Sequence, residues 1–121
     1  MKPETDKELD QRISRGKTLW ISSFIYDVIQ RKVEIGFTPE PDSVECDRKL
    51  VFRDVSRLRA DHHHDCEEDE ICYGSFMGIH RDIFQPAGKR AEFLLFTGDS
   101  EVQFHAAAEA EAIFLPEAPK T

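Results

Sequence analysis

The run His62-His63-His64-Asp65-Cys66-Glu67-Glu68-Asp69-Glu70, followed by Cys72, is the densest chemistry in the chain. It gathers three of the five histidines, two of the three cysteines and five carboxylates. In an extended backbone, side chains return to one face every second residue, so His62, His64 and Cys66 would share a face. Imidazole and thiolate are the ligands zinc selects in tetrahedral sites, with Cys72 or one of Glu67, Glu68, Asp69 and Glu70 as a fourth. Weighing against a metal, there is no C-x-x-C and no second ligand pair at metal-site spacing elsewhere. The bland reading is a solvated acidic connection whose like charges resist ordering. In that reading no cofactor is implied, and Glu67, Glu68, Asp69 and Glu70 become candidate contacts for a basic partner.

The remaining reactive side chains are scattered. Lys49, Arg53, Arg57 and Arg59 form a candidate basic stripe, read more simply as cations paired with acids nearby. His80 has no sequence neighbour that would make it a base, and His105 alternates onto the polar side of a strand. Ser22, Ser23, Ser75 and Ser100 lack a G-x-S-x-G context. Cys46 carries no signature of a catalytic thiol, and the six glycines are dispersed rather than gathered into a phosphate-cradling loop. No motif marks an enzyme.

Length and charge bound the rest. A chain of 121 residues with 40% hydrophobic content and nine phenylalanines can fill one core without disulfides. Three cysteines at irregular spacing read as free thiols of a reducing compartment. There is neither an apolar run of about 18 residues nor a signal peptide, so the expected location is the cytoplasm and no membrane span is expected. The net charge of −8 is uneven. Residues 1–60 carry 12 basic and 11 acidic side chains, whereas residues 61–121 carry 4 and 13. An acidic surface repels nucleic acid and anionic lipid and steers basic partners, so a basic protein is the expected partner and nucleic acid is not.

The elements that must position these groups read mainly as strands. Residues 1–17 are a polar leader or short helix, with a capping-box pair at Thr5 and Glu8, Leu9 and Ile13 one turn apart, and Gly16 as the stop. Residues 18–30 are ambiguous, because Trp20, Phe24 and Val28 repeat at helical spacing. The β-branched and aromatic content, and the alternation of Val33, Ile35 and Phe37 that follows, favour a strand over Trp20–Tyr26. Thr38 to Ser43 is a proline-broken loop. Lys49–Arg53 is a compact strand that continues through residues 55–60 across a bulge or bend at Asp54. Residues 71–73 and 76–84 read as short irregular strands. Residues 90–96 and 101–106 flank Thr97-Gly98-Asp99-Ser100 as a hairpin, with Val102, Phe104 and Ala106 on one side and Glu101, Gln103 and His105 on the other. Residues 107–112 extend that strand or begin a helix, and residues 115–121 form a loose tail. Trp20, Phe24, Phe52, Phe93, Phe96 and Phe104 are the expected aromatic core.

Two stretches carry a resemblance. Lys49 to Leu58, K-L-V-F-x-D-V-x-x-L, and Phe93 to Phe104, F-x-L-F-T-G-D-S-E-V-x-F, resemble patterns in small uncharacterised bacterial proteins rich in β-structure, some of them immunity-like. The resemblance implies a β-domain, which in the immunity-like relatives neutralises a toxin and in others has no assigned role; it implies no catalytic or ligand residue and leaves residues 62–70 outside its pattern. The expectation is therefore a single-domain, mainly β protein over residues 18–114. It would be an antiparallel sandwich or partly open barrel of about six to seven strands, with residues 61–70 as a His/acidic loop. Its expected function is non-enzymatic binding of a basic partner. The alternative is a metal-binding or metal-sensing domain built on His62, His64, Cys66 and Cys72.

Overall fold

A computed structural model describes residues 7–40, 46–62, 75–98 and 100–115, with the backbone alone at His62. The helix α1 (Lys7–Ser14) precedes eight strands: β1 (Trp20–Asp27), β2 (Lys32–Thr38), β3 (Arg48–Phe52), β4 (Ser56–His62), β5 (Phe76–Gln85), β6 (Arg90–Thr97), β7 (Ser100–Ala107) and β8 (Glu111–Phe114). They form two antiparallel sheets, ordered β1-β2-β3-β8 and β4-β7-β6-β5. The described strands make a sandwich, not a closed barrel, and they number eight rather than six or seven. The added strand is β8, which begins at the end of residues 107–112, where the sequence reads as strand or helix, and runs on to Phe114. Its alternation sets Ala112 opposite Leu50 and Phe114 opposite Arg48 on β3.

A bulge interrupts the start of β1. Ile21 pairs with Phe37 and Ser23 with Gly36, so one extra residue is bulged out at Ser22. The bulge keeps Ile21 and Phe24, three residues apart, both packed on the core. Trp20 was expected in the core, but it is only half-buried and the core takes its neighbour Ile21 instead. Between β3 and β4 the chain does not continue a strand across a bend. Asp54 adopts a left-handed φ of 56° and the chain crosses from the first sheet to the second. Val55 is buried in the crossing and its N–H donates to the Arg31 carbonyl at 2.8 Å.

Within the second sheet, β5, β6 and β7 are joined by consecutive hairpins, and β4 lies beside β7. That strand order is a Greek key, with β4 and β5 at the opposite edges of the sheet. Between the sheets, Phe52 meets Phe93 and Phe104 edge-on, with ring centroids 4.8 and 4.9 Å apart. Leu9 and Ile13 of α1 are fully buried against the same core. The helix ends at Arg15 and Gly16, both in left-handed conformations, with Gly16 where the sequence places the stop.

Arg48 fixes that helix end to the sheet. Its side chain is almost fully buried; Nη1 donates to the carbonyls of Ile13 and Ser14 at 2.9 and 3.0 Å. Nε and Nη2 form a fork on the Asp47 carboxylate, at 2.9 and 3.0 Å. A cation at the last carbonyls of a helix also matches the negative end of its dipole. On the opposite face of the first sheet, Gly36 leaves no room for a side chain. A Cβ there would stand 2.5 Å from Ser23 Oγ, 3.0 Å from Ser22 Oγ and 3.1 Å from Cys46 Cβ. Gly36→Val is therefore expected to cost about 1–3 kcal/mol through overpacking. The urea midpoint checks this, and an unchanged midpoint would show the layer to be slack.

Candidate functional site on the outer face of the second sheet

Strict alternation decides which side chains this face presents. Ala91, Phe93 and Leu95 of β6, and Val102, Phe104 and Ala106 of β7, are buried between the sheets. Glu92, Leu94, Glu101, Gln103 and His105 therefore point outward. The register assembles them into rows. Asp82, Glu92, His105 and Ser56 lie side by side across β5, β6, β7 and β4. The next row is His80, Leu94, Gln103 and Arg59, and beyond it come Phe96, Glu101 and Asp61.

Within the first row, His105 Nε2 lies 3.3 Å from Glu92 Oε2. The Phe84 ring packs on that imidazole with centroids 4.7 Å apart. A register shift between Ile83 and Gln85 admits Phe84 to this face, where it is 41% exposed. The sequence placed His105 on the polar side correctly, but its carboxylate and aromatic neighbours come from the pairing. Phe96, expected in the core, is buried, although its strand position is an outward one opposite Glu101 and outside the main core cluster.

Carboxylates dominate the charge here: Asp61, Asp82, Glu92 and Glu101 share the face. Arg59 Nε lies 3.5 Å from Asp61 Oδ2, a pair exposed enough to contribute little. Among the described outward positions of β5, β6 and β7 the one Lys or Arg is Arg90. Its Nη2 is turned to the rim, donating to the Asp54 carbonyl at 2.9 Å and to Ser56 Oγ at 3.3 Å.

Lys49, Arg53, Arg57 and Arg59 do not form a stripe. Lys49 lies on the outer face of the first sheet, where Glu34 takes Lys32 at 3.5 Å and Lys49 at 3.9 Å. Arg53 and Arg57 flank the crossing between sheets, and Arg59 lies on β4. His62 ends β4, its backbone opposite Ser100. His64, Cys66, Glu67, Glu68, Asp69, Glu70 and Cys72 lie outside the described residues. Among the described residues no group of three or more His, Cys, Asp or Glu side chains is placed to hold a metal ion. An open cleft of about 240 Å³ is lined by Ile83, Pro86, Lys89, Ala108 and Glu109, with no serine, cysteine or histidine in that lining.

The fold thus defines an antiparallel β-sandwich with one short helix and an acid-rich outer sheet face. It is similar to the crystal structure of an uncharacterized protein from Neisseria gonorrhoeae, at 13% identity and a TM-score of 0.51. The likeness covers 79% of this chain and 90% of that one, and it is a likeness of fold alone. No protein-family model matches the chain, and none of the curated proteins does. No helix among the described residues is long and apolar enough to cross a membrane.

Proposed function

We propose that this protein is a non-enzymatic binding module that docks a basic protein partner on the outer face of its second sheet. The observation that carries the reading is the row Asp82–Glu92–His105 with Phe84 packed beside it. Carboxylates placed there give long-range steering and register, while the exposed ring and Leu94 give an apolar contact. In the sequence, the stretch between β4 and β5 carries Asp65, Glu67, Glu68, Asp69 and Glu70 as further acids. A cationic toxin neutralised by an immunity-type inhibitor is the sharpest form of the proposal, and it rests on the sequence resemblance.

The test uses an oligolysine peptide as the cationic probe and compares the wild type with Asp82→Asn/Glu92→Gln. Both replacements keep side-chain size on a solvated face. Affinity is expected to fall about threefold to tenfold in the variant, and for both proteins to weaken steeply as salt rises. A low-salt pull-down should lose the natural partner in parallel. Equal affinity of the two proteins for the peptide would contradict the assignment to this face.

A further inference from the structure

The end of the sandwich where β1 turns into β2 has the opposite character. Val28-Ile29-Gln30-Arg31 makes the turn, with Ile29 91% exposed, Val28 68% and Ile25 of the adjoining strand 55%. Single exposed aliphatic side chains are ordinary, but three at one hairpin tip form a patch. The Asp27 carboxylate accepts the N–H groups of Ile29 and Gln30, each at 3.0 Å. Those apex amides are therefore bonded without help from water.

Around the base of the tip runs a basic rim. Backbone bonds stitch it into one end of the molecule: Val55 N to Arg31 O at 2.8 Å, Ala107 N to Arg53 O at 2.9 Å and Ala108 N to Lys89 O at 2.7 Å. Arg31, Arg53, Arg57 and Lys89 are all exposed. Arg31, Arg57 and Lys89 hold left-handed φ values of 52°, 54° and 50°. Glycine costs least in that conformation, yet long cations occupy all three positions. The acids nearby are Asp54 and Glu109, both exposed, and Asp27, whose carboxylate accepts the turn amides and keeps its charge, so four cations stand against three carboxylates. A protein of net charge −8 thus presents one locally cationic, apolar end.

We infer that the β1–β2 tip docks on the surface of an anionic lipid bilayer. Val28 and Ile29 enter the boundary between headgroups and acyl chains, while Arg31, Arg53, Arg57 and Lys89 meet the headgroups. Aliphatic side chains beside clustered cations are what interfacial binding requires. The tip itself is a narrow hairpin turn, and its satisfied apex amides suit a medium poor in water. Averaged over the molecule, the net charge argues against such a surface. At physiological salt, however, screening acts within about 8 Å, so the acidic face does not cancel the rim.

The test is co-sedimentation of the full chain with vesicles of phosphatidylcholine, alone or mixed with phosphatidylglycerol. Binding is expected to the mixed vesicles and not to phosphatidylcholine alone. Ile29→Asp should weaken it more than tenfold. Arg31→Gly should weaken it about fivefold while unfolding no more easily, because glycine relieves the left-handed backbone. An Ile29→Trp reporter should shift to shorter emission wavelength on the mixed vesicles. Absence of binding to mixed vesicles, or binding indifferent to Ile29→Asp, would overturn the proposal. So would complete displacement by soluble polyglutamate, which would assign the rim to an acidic protein instead.

Discussion

Phe52→Ala is expected to lower the unfolding free energy by about 3–5 kcal/mol. Phe52 is fully buried and touches Phe93 and Phe104 edge-on at 4.8 and 4.9 Å, joining β3 of one sheet to β6 and β7 of the other. Truncation removes the transfer energy of the ring. It also leaves a cavity that two sheets, each held by its own ladders, close only in part. Native domains are stable by only about 5–15 kcal/mol, so the variant should unfold at a much lower urea concentration. Phe84→Ala is the matched control. Its ring packs on His105 from the solvent side, and its removal should cost less than about 1 kcal/mol. Similar midpoints for the two variants would contradict the placement of the core between the sheets.

Arg48→Met should cost about 3 kcal/mol, nearly as much, through a different mechanism. Methionine fills most of the space but donates nothing, so the Ile13 and Ser14 carbonyls lose the donors that close α1 onto β3. Amide exchange is expected to accelerate in α1 before it does in β6 and β7. Uniform acceleration across all elements would mean that Arg48 does not specifically hold the helix. The same contact governs a pH response. The hydrogen bond from Arg48 holds the Asp47 carboxyl below its ordinary value, and burial opposes the shift only in part. A carboxyl whose folded pKa is depressed stabilises the fold above its unfolded value of 3.8. That contribution disappears as pH falls through the folded value. The stability gap between wild type and Asp47→Asn should therefore be constant near neutrality and shrink below about pH 4. A gap that widened in acid would reverse the sign.

The hairpin of β6 and β7 was legible from sequence because its strands alternate without interruption and only Gly98 and Asp99 separate them. That register also sets Glu92 opposite His105, so half of the candidate site was implicit in the turn length. Phe84 was not, because the shift at Ile83 that turns it outward leaves no mark in composition. The helical spacing of Trp20, Phe24 and Val28 misled, because the bulge at Ser22 puts Ile21 rather than Trp20 on the core face with Phe24, and Val28 lies exposed in the turn. Asp54 announced an interruption, but whether the chain bends within a sheet or crosses to another depends on Val55 finding Arg31, a contact between distant segments. Nothing in the sequence separates Arg48 from Lys49, since sequence does not reveal which of two adjacent cations faces inward. The pairing of Leu50 with Ile35 settles it, turning Arg48 in and Lys49 out to Glu34.

Backbone amide shifts recorded while an oligolysine peptide is added give the most direct test of the acidic face. The signals expected to move are those of Asp82, Glu92, Glu101, Gln103 and His105, with Lys32, Glu34 and Lys49 on the first sheet unmoved. Shifts confined to the first sheet, or a spectrum indifferent to the peptide at low salt, would contradict the account.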